Sequence, residues 1–317
     1  MTEPRVLVVG CGAIGSLFAA HLARAGVEVW GFDVSQAHVD AITRDGLQVD
    51  SHEGEAGFTA RFEARTNAGD IPSCELAIVA VKAEHTRAAM TLVAPVLTDA
   101  AVASVQNGIG NEEVIAGFAP RVIRGSTLIA GAIPAPGHVR LDALGDTWLG
   151  PFEPKPASLA EVQWLADALT GGGMTTHGLA DARGAQWTKL LFNAATNALC
   201  ALTGLTTGQL TEVPGLKAMV HGLMREGRQV AAELGIVLDT DPQVVMDDAV
   251  ARAYYHRPSM LQDVTARRRT EVDVLNGGVV VAAREVGVSV PLHEAVVGMV
   301  HGLERSWAET VPGISTP

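Results

Sequence analysis

The chain has 317 residues, of which 48% are hydrophobic, and its formal net charge is −12. That length allows two ordinary domains, each with its own core. The acidic balance argues against a nucleic-acid or membrane-surface partner, because those surfaces attract clustered cations. The one basic cluster, "ARRRTE" at 266–271, is most simply a solvated turn of helix, with an anion-binding role as the alternative.

Cysteine and histidine usage gives no sign of a disulfide framework or a metal site. Cys11, Cys74 and Cys200 are widely spaced and include no CxxC pair, so we expect a reduced, cytoplasmic protein. The ten histidines show no HExxH or clustered spacing, and we expect no metal. The N-terminus resembles no signal peptide, and no apolar run reaches the roughly 18 residues needed to span a bilayer.

The first half of the chain alternates short apolar runs with segments of helical pattern. The runs at 5–10, 27–32, 75–81 and 101–105 predict strands of a parallel sheet covered on both faces by helices. Around 120–152 the sequence is rich in glycine and proline, which suggests antiparallel strands that complete this sheet. A proline-bounded helix follows and ends in "GGG" at 171–173.

From about Asp181 onward the pattern is helical almost throughout. We expect helices at 184–203, 214–235, 242–253, 258–287 and 291–308, with glycine ending one helix and proline starting the next. The boundary lies near 175–182. The sequence therefore predicts an α/β dinucleotide-type domain over 1–178 and an all-α domain over 179–317.

The stretch "VLVVGCGAIGSLFAAHLARAG" has the spacing GxGxxG between a strand and an alanine-rich helix. In that setting the first glycine makes a tight turn, the second lets backbone approach a pyrophosphate, and the third lets helix and strand pack closely. The helix N-terminus then faces the phosphates. The predicted cofactor-binding loop comprises six residues: Gly10, Cys11, Gly12, Ala13, Ile14 and Gly15.

Asp33 ends the second strand, 18 residues after Gly15. A carboxylate there can accept hydrogen bonds from both adenosine ribose hydroxyls and would repel a 2′-phosphate, which favours NAD over NADP. The alternative is that Asp33 simply caps the helix that begins near Ser35.

Five further polar positions follow from the predicted elements. Lys82 and Asn107 come after strands, at the sheet edge where open α/β folds bind ligands, although each could be an ordinary surface lysine or turn asparagine. In "WTKLLFNAATNALCALTG", Lys189, Asn193 and Asn197 recur every four residues and share one face of a helix otherwise suited to burial.

The motifs together resemble the ketopantoate reductase (2-dehydropantoate 2-reductase) family. The matching stretches are "GCGAIG" at 10–15, "VKA" at 81–83, "QNG" at 106–108, "WTKLLFNAATNAL" at 187–199 and "SMLQDVTARRRTEVDVLNG" at 259–277. The last two are far more specific than the glycine loop. The resemblance implies a Rossmann-type N-terminal domain, a helical C-terminal domain and an active site in the cleft between them.

The resemblance also implies roles for individual residues. By this resemblance Lys189 and Glu271 are the expected catalytic residues, with Lys189 as the general acid. Ser259 and Glu271 are similar to a polar pair from a later helix, and Asn193, Asn197 and Ser259 to the family's substrate-binding groups. Lys82, Asn107, Ala132 and Glu271 are expected at the cofactor, and Asn107 also at the substrate. Hydride transfer to C2 of a 2-keto acid generates an alkoxide, and an ammonium can both protonate and stabilise it.

Three positions depart from the family pattern. Asp33 stands where NADPH-using members tend to carry a phosphate-tolerant group, His256 stands where an asparagine precedes Ser259, and Thr207 aligns with a substrate-contacting asparagine. We therefore assign His256 and Thr207 to the substrate pocket. The alternative is that the changes at His256 and Thr207 have no functional consequence, since both residues are expected in loops, where sequence drift is common.

These departures leave the substrate open within the family. The leading hypothesis is reduction of ketopantoate to D-pantoate for pantothenate biosynthesis, with NAD, favoured by Asp33, or NADP. An NAD-linked D-2-hydroxyacid dehydrogenase, similar to D-mandelate dehydrogenases, is the alternative. A non-catalytic dinucleotide sensor is a remote third. The expected partner is a small 2-keto or 2-hydroxy acid, and homodimer formation stays open because no sequence feature decides it.

Overall fold

The computed structural model describes residues 4–51 and 56–307. The chain divides into two compact units, one formed by 1–106 with 110–182 and the other by 107–109 with 183–317. The predicted boundary after residue 178 marks functional domains and stays a prediction. The short segment 107–109, which belongs with the helical unit although it lies within the N-terminal half of the sequence, was not foreseen.

The first unit is built on twelve described strands and five helices. The strands are β1 Val6–Val9, β2 Val29–Phe32, β3 Leu47–Ser51, β4 Phe58–Ala60, β5 Glu63–Arg65, β6 Leu76–Val79, β7 Ala101–Ser104, β8 Arg121–Thr127, β9 Ala130–Ala135, β10 His138–Ala143, β11 Thr147–Pro151 and β12 Thr176–Gly178. The helices are α1 Ala13–Arg24, α2 Gln36–Asp45, α3 Thr86–Val93, α4 Asn111–Ala116 and α5 Leu159–Gly171.

The main sheet has the strand order β12-β11-β8-β7-β6-β1-β2-β5 and is parallel except where β11 pairs with β8. Its central strands β1, β6 and β7 are buried along their whole length. In β1, Val6 and Val8 join the hydrophobic cluster on one face, while Leu7 and Val9 join the cluster on the other. Such continuous apolar strands are typical of a parallel sheet covered on both faces.

The region at 120–152 corrects one expectation. Its strands β8 and β11 do extend the main sheet and pair antiparallel, but β9 and β10 join a second, four-stranded sheet of order β4-β3-β10-β9. The reason is packing: α1 contacts β9, β10, β3 and β4. The second sheet therefore covers α1, and its short strands carried too weak an alternation to be recognised in the sequence.

The second unit contains seven described helices. They are α6 Arg183–Thr203, α7 Thr207–Leu210, α8 Pro214–Glu233, α9 Pro242–Ala253, α10 Ser259–Thr265, α11 Asn276–Val286 and α12 Pro291–Ser306. Helix α6 packs against five of the others, α7, α8, α9, α10 and α12. Its core is formed by buried side chains of α6, such as Leu190, Ala194 and Leu199, with those of the surrounding helices. The last residue of the predicted 291–308 helix lies outside the described residues.

The long helix predicted over 258–287 is wrong. The chain forms α10 and α11, separated by an irregular segment at 266–275, and Arg267 in that segment has the left-handed φ of +50°. A residue in that conformation cannot continue a right-handed helix. Within the described part of the chain, none of the helices is both long and apolar enough to cross a bilayer.

Candidate active site

The glycine loop between β1 and α1 has the geometry that its spacing predicts. Gly10 has φ +91°, and a Cβ there would lie 2.9 Å from the backbone nitrogen of Val81. A Cβ at Gly15 would lie 1.8 Å from the Gly10 carbonyl oxygen, so only glycine lets α1 pack on the loop. A Cβ at Gly12 would meet no described protein atom within 4 Å. Backbone is thus accessible at the N-terminus of α1, as an anion site requires.

Asp33 follows β2 and its carboxylate accepts two backbone hydrogen bonds. Oδ2 accepts from the Cys11 N–H at 2.8 Å, and Oδ1 accepts from the Ser35 N–H at 2.8 Å. The helix-capping interpretation therefore describes only one of its two contacts, and the other ties Asp33 to the glycine loop. Each carboxylate oxygen can accept a second hydrogen bond, so the group retains capacity for ribose hydroxyls.

The ends of β6 and β7 are joined by a residue that sequence reasoning did not single out. Gln106 is buried, and its Nε2 donates to the Val81 carbonyl at 2.8 Å and to Thr86 Oγ1 at 2.7 Å. Lys82, which follows Val81, is half-buried. Gln106 therefore fixes the backbone that carries Lys82. Its place in "QNG" at the carboxyl end of a strand was the signal that could have identified it.

Asn107 was expected in the dinucleotide-binding half, but it groups with the helical unit. Gly108 has φ +81°, and a Cβ there would lie 2.3 Å from the Val274 carbonyl oxygen. The next residue, Ile109, donates its N–H to the same carbonyl at 3.0 Å. Glycine thus lets the backbone after β7 approach the segment that follows α10, and this contact fixes Asn107.

Asn107 connects the two predicted catalytic residues. Its Oδ1 accepts from Lys189 Nζ at 2.8 Å, and its Nδ2 donates to Glu271 Oε2 at 3.2 Å. Burial lowers the pKa of Lys189 from 10.5 to about 8, and the negative charge of Glu271 opposes part of that fall. The ammonium is thus poised to exchange its proton near neutral pH.

The irregular segment at 266–275 is held in place by several polar contacts. Arg268 Nε donates to the buried Asp263 at 3.0 Å, at the base of the segment. Thr270, immediately before Glu271, donates through its N–H and hydroxyl to Glu304 Oε1 at 2.8 and 2.6 Å. Two arginines of the basic cluster are paired, Arg268 with Asp263 and Arg269 with Asp273, and the cluster lies in an exposed loop and not in the helical turn expected. Its irregular shape presents Glu271 to Asn107.

Asn193 and Asn197 lie along the face of α6 that carries Lys189, one and two turns further on. Asn193 is half-buried, and its amide makes no hydrogen bond within the part of the chain that the structure describes. Asn197 is buried. Ser259 is exposed at the start of α10, a helix that packs against α6. The polar stripe predicted from the four-residue spacing therefore lies on one helix, α6.

Thr207 and His256 meet through the backbone. The Thr207 N–H lies 3.5 Å from the His256 carbonyl oxygen, and His256 is exposed. Thr207 begins α7 and does not lie in a loop as expected, and it is 3% exposed. The helix α7 packs against α6, the helix that carries the polar stripe.

Two remaining expectations concern Ala132 and metals. Ala132 is half-buried in β9 and pairs with Arg140 of β10, in the same unit as the glycine loop. Among the described residues, no group of three or more His, Cys, Asp or Glu side chains could hold a metal ion. Burial raises the pKa of Cys11, the loop cysteine, well above its usual range, so its thiol stays protonated.

Comparison with known proteins decides the family. The model of "Ketopantoate reductase PanE/ApbA" matches residues 6–154, and the model of its C-terminal domain matches residues 181–304. The chain belongs to the ketopantoate reductase PanE/ApbA family. This confirms the resemblance, the expected fold class and the expected oxidoreductase class.

Similar proteins span nearly the whole chain. A 2-dehydropantoate 2-reductase of Halobacterium salinarum is 31% identical, covering 95% of this chain and 99% of that protein. The crystal structure of a PanE/ApbA family ketopantoate reductase from Ralstonia eutropha superposes with TM-score 0.85 at 28% identity, covering 96% and 100%. The structure of D-mandelate dehydrogenase with NADH and anilino(oxo)acetate gives TM-score 0.85 at 27% identity, with the same coverage.

Proposed function

We propose that this chain is an NAD(P)-dependent reductase of a 2-keto acid, and that it converts 2-dehydropantoate (ketopantoate) to D-pantoate. The observation that carries the proposal is the Lys189–Asn107–Glu271 group. It combines an ammonium whose pKa is about 8 with an amide that holds it and a carboxylate that opposes the loss of its proton.

Lys189 acts as the general acid in this proposal. Hydride transfer to C2 of the keto acid leaves negative charge on the carbonyl oxygen, and Lys189 Nζ donates its proton there. The same ammonium stabilises the developing charge, most effectively where water is excluded. Asn107 fixes the direction of the Nζ group through the 2.8 Å hydrogen bond, and Glu271 anchors Asn107 from the other side.

Neutral polar groups bind the substrate. Asn193 has an amide that makes no hydrogen bond within the described residues, and Ser259 presents an exposed hydroxyl. Together with Asn197 they supply donors and acceptors suited to a carboxylate and a hydroxyl. His256 is exposed and joins this set. Thr207 belongs there more weakly, because it is buried.

The dinucleotide binds at the glycine loop, with NAD preferred. The accessible backbone at Gly12 and the N-terminus of α1 suit a pyrophosphate, and Asp33 suits the ribose hydroxyls. A 2′-phosphate beside Asp33 would meet a like charge. Lys82 and Ala132 complete the proposed cofactor contacts.

Initial rates of ketopantoate reduction test the proposal directly. Loss of reduced nicotinamide is followed with NADH and with NADPH at equal concentration. Efficient turnover with either cofactor supports the ketopantoate assignment, and the ratio of the two rates tests the preference for NAD. Negligible turnover by a protein that still binds NADH would refute ketopantoate as the substrate.

An NAD-linked D-2-hydroxyacid dehydrogenase is the second candidate. Two observations favour it: Asp33 contacts the glycine loop, and the fold is similar to that of D-mandelate dehydrogenase with NADH. Under this hypothesis His256 faces a substrate of different shape.

The test of the second candidate is a comparison of wild type and His256→Asn on ketopantoate and on 2-keto acids with aromatic side chains. The second candidate predicts that wild type prefers the aromatic acids and that His256→Asn shifts the preference toward ketopantoate. Equal preference in both proteins would exclude a role of His256 in specificity.

A further inference from the structure

A chain of buried polar groups runs behind the glycine loop, and no role assigned so far uses it. Ser16 Oγ donates to the Cys11 carbonyl oxygen at 2.8 Å and also contacts His38 Nε2 at 3.2 Å. His38 Nδ1 accepts from the Gly137 N–H at 2.9 Å. Ser16 is 0% exposed and His38 is 5% exposed. Leaving a buried polar group without a hydrogen bond costs free energy, so these hydrogen bonds constrain the Cys11 carbonyl at one end and the Gly137 N–H at the other.

The partners of Ser16 and His38 determine where the protons of these two side chains lie. A carbonyl can only accept, so the single Ser16 hydroxyl proton points to Cys11, and Ser16 Oγ must accept from His38 Nε2–H. The backbone N–H of Gly137 can only donate, so His38 Nδ1 carries no proton. His38 is therefore neutral, with its proton on Nε2. Burial also lowers the pKa of His38, which favours the same form.

The hydrogen bonds of Ser16 and His38 set the direction of one peptide group in the glycine loop. The Cys11 N–H is held by Asp33 Oδ2 at 2.8 Å, and the Cys11 carbonyl is held by Ser16. In a trans peptide the C=O and the following N–H point in opposite directions. Because the Cys11 carbonyl points inward to Ser16, the Gly12 N–H of the same peptide points away from Ser16.

We propose that Ser16 and His38 are positioning residues for the dinucleotide: by holding the Cys11 carbonyl they aim the Gly12 N–H at the pyrophosphate. The inference rests on the proposed dinucleotide-binding function. His38 also connects this peptide to the turn between β9 and β10 through Gly137, which has φ +72°. Neither residue touches the cofactor itself, and their effect is on the affinity of the loop for phosphate.

The primary test is the dissociation constant for NADH of wild type and Ser16→Ala, measured by nicotinamide fluorescence, with NADPH as a second probe. Without the hydroxyl the Cys11–Gly12 peptide can rotate, and we expect the Kd and KM for NADH to rise about five- to tenfold. The kcat at saturating NADH stays within about twofold, because the proton-donating group is untouched.

Thr147→Val is the matched control. It removes a buried hydroxyl from the same unit, where Thr127 Oγ1 and Thr147 Oγ1 lie 2.8 Å apart, and it lies outside the glycine loop. We expect it to lower the melting temperature without changing the Kd for NADH. Ser16→Ala that loses melting temperature like the control, but keeps the wild-type Kd, overturns the inference.

Two His38 variants keep the inference testable if Ser16→Ala folds poorly. The amide nitrogen of His38→Gln can donate to Ser16 in place of Nε2, whereas the amide oxygen of His38→Asn can only replace Nδ1 toward Gly137. We expect His38→Asn to weaken NADH binding more than His38→Gln; equal Kd values, or the reverse order, overturn the inference. If wild type binds neither NADH nor NADPH, both the proposed function and this inference are wrong. If every variant binds NADH with the wild-type Kd, only this inference is wrong.

Discussion

Replacing Glu271 with glutamine tests how the candidate site controls the proton of Lys189. The Glu271 charge raises the pKa of Lys189 against the larger effect of burial, which brings it to about 8. Glu271→Gln removes the charge and keeps an oxygen that can accept from Asn107 Nδ2, as Glu271 Oε2 does at 3.2 Å. The hydrogen-bonded chain from Glu271 to Lys189 is therefore preserved while the electrostatic effect is removed.

The size of the effect follows from the path between the two charges. Lys189 Nζ is 2.8 Å from one end of the Asn107 amide, and Glu271 is 3.2 Å from the other. Two unit charges about 6 Å apart interact by roughly 1.4 to 2.8 kcal/mol at an effective dielectric constant of about 40 to 20. That corresponds to a fall of about one to two in the pKa of Lys189.

The assay is the pH dependence of kcat/KM for keto-acid reduction. The protonated amine is the active form, so the rate falls as pH rises through the pKa of Lys189, near 8 in wild type. In Glu271→Gln the midpoint moves down, and the rate at pH 7.5 falls about 3-fold to 25-fold from the change in protonation alone. In the direction of alcohol oxidation the neutral amine is active, so the rate rises with pH through the same midpoint.

Asp273→Asn is the control for this experiment. Asp273 is an exposed acid two residues away that pairs with Arg269 and His301, and its removal leaves Asn107 and Lys189 untouched. We expect its midpoint to match wild type. A Glu271→Gln midpoint that stays near 8 or moves upward would refute the electrostatic argument, because removing an anion can only make the ammonium easier to deprotonate.

Three further predictions concern other parts of the chain. Lys189→Ala should lower kcat by about 10²-fold or more while NADH still binds, as measured by turnover and fluorescence titration; a nearly active variant would exclude Lys189 as the general acid. Asp33→Ala should raise the KM for NADH and improve the use of NADPH, and an unchanged cofactor ratio would contradict the assignment. Arg267→Gly should raise the free energy of unfolding in urea by about 0.5 to 1 kcal/mol, because φ +50° is unfavourable for arginine. Arg268→Gly is the comparison and should lower that free energy, because it removes the ion pair with Asp263. A lower free energy of unfolding in both variants would exclude strain at Arg267.

Elements with strong local signals were predicted well. The strands β1, β2, β6 and β7 are apolar and flanked by turn residues, and the helix α6 has a clear helical repeat, so local pattern and final packing agree there. The second sheet was missed because its strands depend on α1 to bury one face. Their pairing combines β3 with β10, for example Gln48 with His138, and no local pattern can indicate a pairing over that separation.

The sequence predicted which residues form the candidate site, but not the backbone features that bring them together. Lys189, Asn107 and Glu271 were all named from motifs, and the structure connects them by hydrogen bonds. What the sequence could not show is why they meet. That depends on the positive φ of Gly108, which lets Ile109 bond Val274, and on the break at Arg267, which ends a helix that composition alone would continue.

The break between α10 and α11 and the lowered pKa of Lys189 are two parts of one arrangement. A continuous helix over 258–287 would fix Glu271 by its helical position, whereas the irregular segment lets it bond Asn107. Because burial lowers the pKa of Lys189 from 10.5 to about 8, the unfolded chain binds more protons between those values, and folding stability rises with pH across that window. Below pH 8 the buried ammonium therefore destabilises the fold. The Asn107 hydrogen bond and the Glu271 charge offset part of that cost, so the same contacts that orient the proposed acid also make its burial tolerable.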